Sequence, residues 1–392
     1  MTTAAETRRG RTKSPARVVR VATSAARDTR TAMGAVLDEL GADDAVLTLL
    51  FHSPSHDAKV VAEILAARTG ERSVAGTTAG EISSLGFAHD TITGIAFHGS
   101  HVRAAVGVIP RLSHLSLVPV RHLAVDLAER LGLDPAELDP ASHAWLLLVD
   151  GLSGQEDLVT PFFARFAQHL PLVGGSLADE DQFDTVILSH DGQTYSDAAA
   201  VILLEYTRPF ELIHHTHMEM TEHFFEVTRV SQGGRVIEEL DGRTAVEAYA
   251  AALGIEPEDV TIEVTGFHPL GRRFRGRAFP CSIMQPLPDG SFHMAYSVQH
   301  GERLHLLEPV DMVEKSAAVM SEALDRLHAR GATPQAALLF NCMGRYIEMQ
   351  TCDLVDPVFE ALHQAPLCGL NTYGEQFATM HMNHSLTGIV FG

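Results

Sequence analysis

The sequence predicts an α/β protein of mixed sheets flanked by helices, built from repeated strand–helix–strand units in two pseudo-related modules. Three observations lead there. Residues 78–97 and 372–391 align without a gap and share seven identities: Thr78/Thr372, Gly80/Gly374, Glu81/Glu375, Thr93/Thr387, Gly94/Gly388, Ile95/Ile389 and Phe97/Phe391. Average residue usage would give roughly one in such a window. Short apolar runs alternate with amphipathic stretches of helical period, the signature of strands paired through helical crossovers. A Gly-rich turn follows at the same place in each copy.

Taken in chain order, Ala45–Phe51 reads as a strand, residues 57–69 as an amphipathic helix, and a short strand then enters the Gly76–Glu81 loop. The last copy repeats this with Ala336–Phe340, a helix over 353–364 and the loop that ends at Glu375. A weaker third copy lies between them: strand Trp145–Val149, turn Asp150–Gly154, helix 155–169, and the entry Pro171–Ser176, whose Pro-Leu-Val-Gly parallels Pro366–Gly369. Further strands are expected at His101–Val108, Thr185–Ser189, Ala199–Glu205, Ile262–Val264, Phe279–Gln285 and Phe292–Val298, bounded by Gly, Pro or Asp. Asp191-Gly192 and Asp289-Gly290 are the strongest hairpin turns. Helices are expected from about Arg243 to Leu253 and from about Pro309 to Arg330.

Composition bounds the function. At 392 residues, 45% hydrophobic and 20% charged, the chain carries a large core. Its longest apolar runs fall well short of the ~20 residues that cross a bilayer, so no membrane span is expected. The formal charge of −21 argues against nucleic acid as a partner. Only the first 30 residues are basic, with eight Arg and Lys against Glu6 and Asp28, and they read as a solvated tail. Four cysteines without C-x-x-C spacing suit a reduced, cytoplasmic setting. The expected division is a tail over 1–30, one module over 31–230 and a second over 231–392.

Lined up, the segments resemble the FIST family (F-box and intracellular signal transduction) with its N-terminal and C-terminal modules. The first is carried by Leu49–Pro54, GTTAGE (76–81), LVDGLSG (148–154), PLVGGS (171–176) and DGQTYSDAA (191–199). The second is carried by ELDGRTAVEAYAAALG (239–254), ALLFNCMGR (337–345) and NTYGE (371–375). The resemblance implies a small-ligand sensory domain of signal transduction, with amino acids or related metabolites as ligands and a separate output partner such as a histidine kinase. Some bacterial members are similar to haem-binding nitric-oxide sensors. A non-catalytic adaptor is the remaining alternative.

In α/β sheets ligands sit beyond the carboxyl ends of strands, where the glycine loops fall. Gly80 and Gly374 would let backbone approach a ligand, and Thr77, Thr78, Ser176, Asn371 and Tyr373 would supply neutral hydrogen-bond groups. Glu81 and Glu375 would take an ammonium and Arg345 a carboxylate, an amino-acid clamp within one shared cleft. The glutamates equally suit a structural role, bonding backbone N–H groups of the duplicated turns. His214-His-Thr-His217 is the one local cluster with metal or haem potential; His215 and His217 share a strand face. Asp150, Ser153, Asn341, Cys342 and Cys368 are lesser candidates. No Walker, dinucleotide, zinc-protease or nucleophile-elbow motif occurs, so an enzyme is not expected.

Overall fold

The computed structural model describes residues 17–166, 170–180, 182–274 and 276–392. Three six-stranded sheets follow one plan, and a fourth, eight-stranded sheet is inserted in the last of them. Each plan has four strands of its own unit in the order first, fourth, second, third, with the second and third parallel and joined by one helix or, in the third unit, by two. In the first unit these are Val19–Ser24, Leu47–His52, Ser73–Thr77 and Ile92–Phe97. In the second they are Val102–Pro110, His143–Asp150, Leu172–Leu177 and Ala198–Tyr206. In the third they are Phe210–Thr216, Ala336–Cys342, Leu367–Thr372 and Ser385–Phe391.

Between its third and fourth strands every unit sends out a hairpin, and every hairpin joins another unit's sheet. The first unit's hairpin, Glu81–Ser83 with Gly86–Ala88, pairs with Leu367–Thr372 of the third. The third unit's, Glu375–Phe377 with Met380–Met382, pairs with Leu172–Leu177 of the second. The second unit's, Leu188–His190 with Gln193–Tyr195, pairs with Ser73–Thr77 of the first. The exchange closes a ring of three. Asp191 and Gly192, both with positive φ, make the tight turn of the last hairpin.

Strand alternation gives each sheet two buried faces, which is why the strands read as near-continuous apolar runs. The inner faces meet in one core that draws on all three sheets, from Leu49 and Phe51 through Leu146 and Leu148 to Leu338 and Phe340. Phe391 packs edge-on against Phe97 (4.9 Å) and Tyr206 (5.2 Å) there. The outer faces carry helices in separate clusters, such as Thr29–Leu40 on the first sheet and Leu117–Arg130 on the second.

The inserted region runs from strand Met218–Ser231 to strand Arg303–Pro309, and its sheet and the helix Ala245–Leu253 enclose their own core around Phe225, Tyr249 and Phe292. Several expectations change here. The weak middle copy is a complete unit. Residues 19–24, expected in the tail, form an edge strand paired with Ile92–Phe97, because the alternation of Val19 and Val21 with Arg20 survives inside the basic composition. Residues 1–16 lie outside the described residues. Ile262–Val264 is not a strand but opens the helix Ile262–Phe267, since Thr261 caps it by accepting from Val264 N. A helix, Met343–Thr351, follows strand Ala336–Cys342 directly and carries Arg345.

Candidate functional site

Thr77, Ser176 and Asn371 occupy the same position in the three units, next to the point where each hairpin leaves. Each exchanges a pair of backbone hydrogen bonds with the crossing loop of another unit. Thr77 N donates to Ile187 O (3.0 Å) and accepts from Ala178 N (3.2 Å). Ser176 N donates to Gly374 O (2.7 Å) and accepts from Tyr373 N (3.1 Å). Asn371 N donates to Gly80 O (2.7 Å) and accepts from Ala79 N (3.1 Å). The glycine loops are thus the crossover points of the ring, and Gly80 at φ 110° makes the turn that an L side chain would strain.

The two glutamates sit one step beyond. Glu81 accepts from Thr78 Oγ1, from Thr91 Oγ1 (2.7 Å) and from Thr91 N (3.3 Å). Glu375 accepts from Thr372 Oγ1 (2.6 Å) and Ser385 Oγ (2.5 Å). Both are fully buried. Burial pushes the Glu81 carboxyl up to about 7 and that of Glu375 to about 8, against the lowering pull of these hydroxyls. Each therefore ties the base of its own hairpin to the strand that follows. Glu81 lies in the third unit's sheet opposite Leu370, and Glu375 in the second unit's sheet opposite Gly175.

Arg345 is fully buried, with Nη1 on Asn341 Oδ1 (2.6 Å), Nη2 on Ser316 Oγ and Nε without a partner. Burial lowers its pKa to about 10, opposed by the charges of Glu348 and Glu375. Tyr373 donates to Asp179 and to Glu180 O (2.7 Å) and stacks on Phe183 at 4.7 Å. Of the histidines, His217 Nε2 meets Glu348 Oε2 at 2.8 Å, while both ring nitrogens of His215 are buried without a partner. Among the described residues no three His, Cys, Asp or Glu side chains converge as a metal site.

These residues do not fit haem. The cleft beside His214 and His215 encloses about 220 Å³, under the roughly 300–1,000 Å³ of small-molecule pockets, and the face of His214 is already occupied by Phe377 at 4.7 Å.

A larger cleft, about 580 Å³, lies where the inserted region meets the second unit's helix Glu156–Phe166. It is lined by Asp157, Arg272, Tyr296, Gln299, His300 and Glu302, among others. Asp157 clasps the two bodies together, accepting from Ser297 N (3.1 Å), Ser297 Oγ and Arg235 Nη2 (3.1 Å). Arg272 pairs with Glu302, donates to Ser297 O (2.7 Å) and lies 4.1 Å over the Tyr296 ring. Sequence reasoning singled out none of this lining as a site. The lining comes from positions more than 100 residues apart, so no local spacing signals it. None of the ten expected ligand residues lines this cleft.

Fold and site together define a pseudo-threefold α/β protein with an inserted β-sheet region and a polar cleft between the two. Family models agree: the FIST N domain matches residues 46–243 and the FIST C domain residues 245–378. The chain belongs to the FIST family, whose domains are small-ligand sensory domains of signal transduction. An uncharacterized protein of Methanocaldococcus jannaschii is 30% identical over 84 residues, 21% of this chain and 16% of that protein. A chorismatase crystal structure aligns over 95% of this chain and 98% of its own at 10% identity with a TM-score of 0.37. Phosphoribosylformylglycinamidine synthase II of Thermotoga maritima aligns over 95% and 71% at 10% identity with a TM-score of 0.20. No helix among the described residues is long and apolar enough to cross a membrane.

Proposed function

We propose that this protein binds a small polar metabolite of the amino-acid class in the cleft between the second unit and the inserted region, and hands the bound state to a separate partner. The observation that carries the reading is the cleft's size and lining: about 580 Å³ at the seam of two bodies, with a guanidinium, two carboxylates, a phenol and an imidazole around it. A zwitterion would meet charges of both signs. Filling the seam would also change how the Asp157 clasp holds the inserted region, which gives binding a mechanical output. A histidine kinase is the partner class to test first.

A second location has one specific observation behind it. Arg345 is a buried guanidinium whose hydrogen bonds go only to neutral groups, with Nε free, and a buried donor left unpaired is costly. A carboxylate reaching it, with Glu375 nearby for an ammonium, would complete the Glu81, Arg345 and Glu375 clamp. Calorimetric titration against an amino-acid and carboxylate panel separates the two. His300→Ala with Gln299→Ala should weaken binding at least tenfold if the cleft is the site, whereas Glu375→Gln should do so for the inner clamp. No heat with any compound would leave the adaptor reading.

A further inference from the structure

Tyr296, a wall of the polar cleft, carries the Arg272 guanidinium 4.1 Å over its ring and lies nearly parallel to the His381 ring, with centroids 6.0 Å apart. His381 belongs to the third unit's hairpin, the guest in the second unit's sheet, and is buried. Its Nδ1 is 3.2 Å from the carboxamide nitrogen of Gln376, which also donates to Ser176 Oγ at 2.8 Å. A Cβ on Gly374 would overlap the His381 ring, so the ring is seated directly on the crossover. Asn383, two residues further along, makes a second tie. It accepts from Ser282 N of the inserted region (3.5 Å) and donates to Tyr373 O (3.0 Å), and its amide nitrogen lies 2.9 Å from the place of a Cβ on Gly374.

Both side chains thus run from the inserted region to the backbone pair that joins the second and third units, Ser176 N on Gly374 O (2.7 Å) and Tyr373 N on Ser176 O (3.1 Å). The first unit's hairpin is built otherwise. There the aligned residues are Phe87, which stacks at 5.5 Å on Tyr346 of the ring's own helix, and His89, which is exposed. We infer that the cleft and the crossover of the second and third units are mechanically coupled, with His381 and Asn383 as positioning residues between them. A buried ring and a buried carboxamide wedged against a glycine leave little slack, and close-packed groups pass a displacement on. A ligand that tilts Tyr296 shifts His381, and the shift arrives at the Gly374 carbonyl. That ligand step rests on the cleft reading proposed above, whereas the coupling is a property of the protein alone. It must also run in reverse, from the crossover to Tyr296.

Native-state hydrogen exchange on the full chain, with no ligand added, tests the forward direction. In Tyr296→Leu the Ser176 and Tyr373 amides should exchange at least about tenfold faster, while the Thr77 and Asn371 amides, which make the matching bonds at the other two crossovers, should change by no more than about threefold. Tyr296→Phe keeps the ring and should keep the protection. The reverse direction is read by fluorine NMR of the chain labelled with 3-fluorotyrosine, in which the Tyr296 signal is assigned by its loss in Tyr296→Phe. That signal should move in His381→Leu, a readout that stands even where Tyr296→Leu is too unstable for exchange. Unchanged exchange at Ser176, equal acceleration at all three crossovers, an equal loss of protection in Tyr296→Phe, or a Tyr296 signal indifferent to His381→Leu would overturn the coupling. Neither measurement contains a ligand, so the coupling and the metabolite reading fail separately.

Discussion

The first and third units solve the crossover with a buried glutamate, while the second does not. Where the hairpin pairs with its host strand, Glu81 faces Leu370 and Glu375 faces Gly175, but the second unit presents Leu188 opposite Gly76. Its connection is longer, and a different carboxylate closes it. Asp179 accepts from Phe183 N (3.2 Å), Asp184 N (2.7 Å), Thr185 N (2.7 Å) and the Tyr373 hydroxyl. Burial pushes Asp179 upward, yet these four donors outweigh it and hold the pKa below the usual carboxylate value. The glutamates, with hydroxyl donors in a drier setting, go the other way. The same loop-closing task thus yields an ionised group in one unit and protonatable groups in two.

The units also differ one residue earlier on the third strand, and this gives the largest expected effect. Ala75, Gly174 and Gly369 are equivalent, facing Leu50, Leu147 and Leu339 across the parallel pair. A Cβ on Gly174 would overlap the Leu147 carbonyl, and one on Gly369 would come within 2.5 Å of the Leu339 carbonyl. Gly174→Ala should therefore cost about 4 kcal/mol or more by denaturant unfolding, and Ala75→Gly only about 1 kcal/mol. Equal costs would mean the strands are not spaced differently.

Next in size, Asp179→Ala leaves four donors unpaired and should cost about 3 kcal/mol, with faster proteolysis of the 178–187 loop. An unchanged unfolding midpoint would show that water replaces the carboxylate. Smaller is the pH dependence of Glu375. Its folded pKa is raised by burial to about 8 from the ordinary carboxyl value of 4.5, so its contribution is full below 4.5, declines as pH rises across that window and is gone above about 8. Glu375→Gln should lose stability relative to wild type at pH 5 and close the gap by pH 8. The buried histidines act oppositely. Burial lowers His52, His214 and His381 to about 4 and His384 to about 3, so the stability they give above 6.5 is lost as pH falls toward 4. Melting temperature should fall across that range whichever glutamate is replaced.

Much of the fold was legible because it depends on local pattern. The strands Leu47–His52, His143–Asp150 and Ala336–Cys342 are apolar runs between turn residues, and the repeat at 78–97 and 372–391 marks equivalent hairpins. Partnership was not legible. Nothing within Glu81–Ala88 says that it pairs with residue 370 and not with its own sheet, because hairpin edges are chemically alike. The helix Met343–Thr351 was hidden by Gly344, which stands where the His384 ring packs within 3.0 Å of the position a Cβ would take. Thr77, Ser176 and Asn371 were picked out for their hydroxyl and amide groups, and their equivalence lies in backbone bonds that residue type does not encode. The cleft residues Asp157 and Arg272 were out of reach for the same reason, being joined only by tertiary packing.

The cyclic trade of hairpins has a consequence for how the molecule comes apart. A unit released from its neighbours would show an open strand edge where it had hosted a guest, and its own hairpin would hang without a sheet. No unit is a natural fragment, and the three should assemble and melt as one cooperative body, with the inserted region, which keeps its own core, free to follow a separate course. A disturbance at one crossover must also be felt at the next, since each hairpin stands with its base in one unit and its edge in another. A seam of this kind lets a small event at one side of the ring arrive at the far side without a hinge between them.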